Sequence, residues 1–216
     1  MVTFDRPPRT GGLFIAFEGG DGAGKSTQAS LLTSAVEATG ATVVRTREPG
    51  GTAIGESLRG LVLNHGQGDI DARTEALIFA ASRAAHVEQV IRPALLRGEM
   101  VVCDRYLDSS VAYQGAGRGL GAAEVLEINL WAVGGLLPDL TVLLDVEPSH
   151  GRSRRTAGNV SEDRMESEPD DFHERIRQAF LELAAQAPER YLVLPAREPV
   201  ADLAARILGT VKELLG

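Results

Sequence analysis

Several large functional classes are excluded by what this sequence is short of. It has one cysteine, Cys103, so no internal disulfide can form. That thiol sits in the apolar run Met100–Cys103 and reads as a small buried hydrophobe of a protein kept in a reducing cytoplasm, not as a reactive nucleophile. No apolar stretch approaches the roughly 20 residues needed to span a bilayer, so a soluble protein is expected. Positive charge is in deficit, with 22 Lys and Arg against 30 Asp and Glu, a net charge of −8. Tracking a nucleic acid requires a basic stripe that displaces counterions, so the expected anionic ligand is small and locally bound. Internal repeats and low-complexity tracts are also missing. Residues 1–12 carry Arg6, Arg9 and Pro7-Pro8 but lack the hydrophobic centre of a signal peptide, and read as a flexible leader.

The rest of the chain, residues 13–216, suits a single α/β domain, since 216 residues that are 44% hydrophobic supply a core of ordinary size. Apolar runs at Leu13–Phe17, Thr42–Thr46, Met100–Cys103, Leu140–Val146 and Tyr191–Leu194 alternate with helical patterns. That alternation predicts a five-stranded parallel sheet flanked by helices on both faces, in three layers. Helices are expected over Ala53–Asn64, Asp71–Arg97, Val125–Val133 and Pro199–Leu215, the second bent where Pro93 removes an N–H. Ser167, with an acidic residue three positions on, predicts the cap of a further helix running to about Gln186. Between the basic residues Arg152, Arg154 and Arg155 and the acidic stretch from Glu162 lies the small, polar segment Ala157–Ser161, which reads as part of a mobile lid near 149–168.

Directly behind the first apolar run, Glu18–Thr27 reads Glu-Gly-Gly-Asp-Gly-Ala-Gly-Lys-Ser-Thr. Gly19, Gly24, Lys25 and Ser26 complete the spacing GxxxxGK[ST], a loop whose backbone N–H groups converge on phosphate oxygens. Its place between a strand pattern and a helix pattern satisfies the context this motif requires. Lys25 is expected on the β- and γ-phosphates of a nucleoside triphosphate, and Ser26 on Mg²⁺. An Asn-Lys-x-Asp base-reading motif and a Gly-Gly-Gln transporter signature are both absent. Arg47, Arg83 and Arg105 lie on three separate segments expected to meet at the carboxyl edge of the sheet, where they would grip a second phosphorylated molecule. Two facing phosphate sites imply phosphoryl transfer.

The phosphate loop, Thr46-Arg-Glu-Pro-Gly-Gly-Thr52, Asp104-Arg-Tyr106 and Ala112-Tyr-Gln-Gly115 together resemble, in order and spacing, the successive signatures of bacterial thymidylate kinases. The resemblance implies a P-loop kinase fold, ATP-dependent conversion of dTMP to dTDP for dTTP synthesis, Mg²⁺ dependence and a homodimer. It also implies that Gly19, Gly20, Asp21, Gly22, Ala23, Gly24, Lys25, Ser26 and Thr27 bind ATP. Phe79 corresponds to the aromatic stacked on thymine and Arg83 to the base reader; read from spacing alone, Phe79 is core and Arg83 a solvated helix residue. Arg47, Glu48 and Pro49 belong to the acceptor-binding turn, and Arg105 to the residue holding the acceptor phosphate. Ser110, Tyr113 and Gln114 lie on the sugar and base contact. Asp104 is an anchor for Mg²⁺ water ligands or the Ser26 hydroxyl, or else a strand-ending cap of the next helix. Asp21 is placed against Mg²⁺ water or the sugar.

One branch of that family carries an arginine in the loop where this chain has Gly22. The missing charge is expected from the lid, with Arg154 and Arg155 as first choices and Arg164 as second; the alternative is a solvated basic face paired with the acidic stretch behind it. Arg197 is a candidate for the adenine site. Two competing readings stay open: a kinase for another nucleoside monophosphate or a deoxynucleoside, and a regulatory nucleotide-binding module that has lost transfer.

Overall fold

The computed structural model describes residues 11–153 and 162–215 in full and the backbone of 154–156. The first ten residues of the expected leader and the segment Ala157–Ser161 lie outside the described residues. Each expected apolar run forms a strand: β1 (Phe14–Glu18), β2 (Val43–Arg47), β3 (Met100–Asp104), β4 (Leu140–Asp145) and β5 (Tyr191–Pro195). They pair in parallel in the order β2-β3-β1-β4-β5. The strand sequence thus reverses beside β1, and in an open α/β sheet the crevice for a ligand lies at such a point.

Alternation along the central strands supplies both faces of the sheet. Ile15 and Phe17 of β1, with Val102 and Val142, pack on Leu32 and Val36 of α1 (Lys25–Glu37) and on Leu203 and Ile207 of α9 (Val200–Leu215). Phe14 and Ala16, with Val101 and Cys103, pack on Val87, Ile91 and Leu95 on the opposite side. Burying each large side chain contributes about 1.5–3 kcal/mol, which explains why the strands flanking β1 read as continuous apolar runs. A third cluster joins Val62 and Leu63, at the end of α2 (Ala53–Leu63), to Tyr113, Phe172, Ile176 and Phe180. Phe172, Ile176 and Phe180 belong to α8 (Asp170–Gln186), whose 3.6-residue apolar stripe they define.

The helix expected from Val125 begins at Ala122, and helix boundaries depart from expectation in two further places. The long helix predicted over Asp71–Arg97 is α3 (Ala72–His86) and α4 (Arg92–Leu96), joined by a π-helical turn, Val87–Ile91, in which Arg92 N–H reaches back to Val87 C=O. The break precedes Pro93 because its ring would crowd the carbonyl four residues earlier, and widening the helix there relieves the clash. Asp71 caps α3, accepting from Arg73 N–H and Thr74 N–H at 3.0 and 3.1 Å. The second of these two is Ser167, which does not cap α8. That helix begins at Asp170 behind Pro169, and the Ser167 hydroxyl donates instead to the carbonyl of Arg164. Glu168 precedes a proline and is therefore disfavoured in a helical conformation, which moves the start beyond it.

The remaining helices are α5 (Leu107–Ser110), continued by a π-helical turn over Val111–Gly117, α6 (Ala122–Ala132) and α7 (Pro148–Thr156). The start of α7 touches the phosphate loop through two glycines. A Cβ at Gly22, where φ is +78°, would lie 2.3 Å from the Gly151 carbonyl oxygen, and one at Gly151 would lie 2.4 Å from that of Asp21. Both positions need glycine because the two backbones are in direct contact.

Candidate active site

The phosphate loop leaves the carboxyl end of β1 and enters α1 through Gly24, whose φ of +92° turns the chain into the helix. Lys25 is buried beneath it, donating from Nζ to the carbonyls of Gly19 and Gly20 at 3.0 and 2.9 Å. Burial, with the charge of Arg105 adding to it, pushes the Lys25 ammonium down to about 8. The negative charge of a bound polyanion would favour the charged ammonium and so oppose both. Around the loop lies a cavity of about 800 Å³ lined by residues 21–28 and by Arg47, Asp104, Ala196 and Glu198.

A second cavity, of about 160 Å³, is lined by Pro49, Phe79, Arg83, Ser110, Tyr113 and Gln114 among others. The two cavities share Asp21, Glu48, Arg59, Arg105 and Glu166, so one wall separates them and is common to both. Arg105 is the central group of that wall. It donates to the Gly19 carbonyl, Ser109 Oγ and the Tyr113 hydroxyl, each at 3.1 Å, pairs with Asp21, and lies 5.0 Å from the centre of the Tyr113 ring. The Tyr113 hydroxyl in turn donates to Asp21 Oδ2 at 2.9 Å. Among the described residues Arg105 is the only non-glycine with positive φ, +68°. Such a conformation costs about 1–3 kcal/mol and persists only where the surroundings determine it.

Those surroundings are built by Glu18, at the end of β1. Its carboxylate is fully buried and accepts from Tyr106 N–H at 2.8 Å and from the backbone N–H of Ser109 at 3.1 Å, as well as from the Ser109 hydroxyl. It thereby holds the turn that aims Arg105. Burial, and the charge of Asp108 after it, push the Glu18 carboxyl up to about 7.

Behind the second cavity, Arg83 is buried and committed to four acceptors. It donates to Glu48 Oε2 at 2.6 Å, Ser110 Oγ at 2.9 Å, the Tyr106 carbonyl at 3.0 Å and Asn129 Oδ1. Glu48 also accepts from His86 Nδ1 at 3.0 Å, and His86 Nε2 is hydrogen-bonded with Thr46 Oγ1 at 2.6 Å. The Glu48–Pro49 peptide bond is cis. Arg83 is therefore no solvated helix residue; it joins α3 to the turn that follows β2 and to α5 and α6.

The expected meeting of three arginines takes a different form. Arg105 stands on the shared wall and Arg83 on the second cavity, but Arg47 lines only the first and pairs with Glu56 at 2.8 Å in a half-exposed position. Its place at the junction is taken by Arg59 of α2, which lines both cavities and donates to the Pro49 carbonyl at 3.0 Å. Nothing in the spacing marked Arg59, because only the packing of α2 on α3 turns it inward. Arg197 does not line the first cavity; it belongs to a separate recess with Asp145, Glu147 and Arg177, while its neighbours Ala196 and Glu198 face the loop. Arg164 donates to the Val62 carbonyl at 2.9 Å and pairs with Glu75. Arg154 and Arg155 lie on α7, and their side chains fall outside the described residues.

The thymidylate kinase family profile matches residues 17–207. Thymidylate kinases from Leifsonia xyli and Clavibacter sepedonicus are 57% and 58% identical to the chain, over 93% and 94% of its length and 95% and 96% of theirs. The crystal structure of thymidylate kinase from Ehrlichia chaffeensis superposes with a TM-score of 0.74 at 32% identity, covering 93% of this chain and 99% of that one. A likeness that runs through the loop, the shared wall and the sheet alike places the chain in the thymidylate kinase family.

Proposed function

We propose that the chain transfers the γ-phosphoryl group of ATP directly to dTMP, giving dTDP and ADP and so supplying dTTP synthesis. The observation that carries this reading is the common wall: a triphosphate in the loop cavity and a monophosphate in the neighbouring one would end on opposite sides of Arg105. The acceptor oxygen is already anionic at neutral pH, so no general base is required. Catalysis is then positioning and electrostatics. The loop N–H groups and Lys25 hold the donor, and Arg105 with Arg59 holds the acceptor phosphate. Phe79 offers a face for the base, and Tyr113, locked between Arg105 and Asp21, borders the sugar.

Ser26 and Asp104 line the same loop cavity and offer a hydroxyl and a carboxylate, hard oxygen donors that suit Mg²⁺. When bound there, Mg²⁺ would neutralise charge on the donor phosphates.

A homodimer belongs to the same proposal. Leu77 of α3 and Ile128 and Trp131 of α6 are exposed on two helices that pack together, and apolar surface of that kind suits burial against a second copy. No helix among the described residues is long and apolar enough to cross a membrane, and residence in the cytoplasm completes the reading.

The test is a panel of dTMP, dUMP, dCMP and thymidine with ATP and Mg²⁺. Preferred formation of dTDP is expected. Tight ATP binding with no diphosphate product from any of them would favour the regulatory module instead, although intact Lys25, Ser26 and Arg105 speak against it.

The lid supplies the last charge. Backbone contact at Gly22 and Gly151 seats α7 on the phosphate loop, and Arg154 and Arg155 follow within the next turn. Replacing both by alanine is expected to lower kcat by about 10²-fold or more while the KM for dTMP changes little, because a lid cation acts mainly in the transition state. Unchanged turnover in steady-state assays would remove the lid from the mechanism.

A further inference from the structure

We propose that Glu75, which touches neither cavity, decides which pyrimidine the enzyme accepts by fixing the orientation of the Gln114 amide. The inference rests on the second cavity being the dTMP site. Glu75 lies in the first turn of α3 and is fully buried. Its carboxylate accepts from Gln114 Nε2 at 2.9 Å, from Arg118 Nε at 3.2 and 3.3 Å, and from Arg164 Nη2. A carboxylate only accepts, so the end of the Gln114 amide that meets Glu75 is its NH₂ group. The two arginines compensate the buried charge and keep the arrangement in place. Gln114 is itself buried and lines the acceptor cavity, and among the described residues nothing donates to its Oε1. The group presented to the base is therefore an acceptor.

A 4-oxo pyrimidine such as thymine carries a proton on ring N3 and satisfies that acceptor. A 4-amino pyrimidine such as cytosine has a lone pair at N3, so two acceptors would face each other with neither paired, and sites built on a hydrogen bond reject such analogues strongly. Glu75 is thus a positioning residue for specificity, acting through Gln114.

In Glu75→Gln the new NH₂ group meets guanidinium donors and needs an acceptor, which a rotated Gln114 supplies through Oε1. The Gln114 NH₂ then enters the cavity and suits cytosine N3. The ratio of kcat/KM for dTMP to that for dCMP is expected to fall at least about tenfold. A loss shared equally by both substrates, with the ratio unchanged, would make Glu75 merely structural and overturn the proposal. The unaltered enzyme supplies a second measurement should that variant fail to fold: N3-methyl-dTMP should be used at least about a hundredfold less well than dTMP. Equal use of the two would overturn the assigned polarity. Failure of the unaltered enzyme to phosphorylate dTMP at all would instead show the identity of the cavity to be mistaken, and the inference would fall with it.

Discussion

Arg105→Ala is expected to lower kcat/KM for dTMP by about 10³-fold or more, the scale on which cationic groups act in phosphoryl transfer. Its guanidinium stands on the wall common to both cavities and is tied at once to the loop carbonyl of Gly19, to Asp21 and to Tyr113. Because of the Gly19 contact, ATP affinity should weaken as well, by a smaller factor of about tenfold at most. Initial rates against dTMP and calorimetric ATP binding together separate the two effects. The left-handed backbone at this position adds a control, since alanine would keep the strain and glycine would relieve it. Recovery of activity in Arg105→Gly would assign the role to loop geometry and not to charge. A near-normal kcat/KM in Arg105→Ala would contradict the placement of the acceptor phosphate.

The second large effect is on stability. Glu48→Ala should cost about 3–5 kcal/mol, because it strands the buried guanidinium of Arg83 without its countercharge and removes the acceptor of His86 Nδ1. Both members of the Arg83–Glu48 pair are 2% exposed, so solvent screens the loss very little. Removing both charges in Glu48→Ala/Arg83→Met should recover part of that cost, and the difference measures the coupling. Denaturant titration of the parent, Glu48→Ala, Arg83→Met and the double variant is the test. A single variant within about 0.5 kcal/mol of the parent would mean that the pair holds nothing together.

How far the molecule was legible in its sequence follows the range of the interactions involved. The five strands and the phosphate loop depend on neighbours in the chain: a short apolar run before Gly19, or a glycine where φ must be positive, is visible directly. The local rule misled at Ser167, where the capping pattern was present but Pro169 overrode it. Buried carboxylates were less accessible still. Glu18 serves donors 88 and 91 positions away, and Glu75 takes bonds from residues 39, 43 and 89 positions on. No spacing rule spans such distances. Arg59 was not singled out for the same reason: only the tertiary packing of α2 brings it, and not Arg47, to line both cavities.

The glycine pair at positions 22 and 151 makes two designs for this enzyme mutually exclusive. Any side chain grafted onto the loop at 22 would strike the backbone of α7, so an arginine there demands a helix that starts farther out, which in turn carries its own arginines away. If the lid supplies the charge on the migrating group, as proposed, the closeness of these two backbones closes the other route, from a side chain on the loop itself.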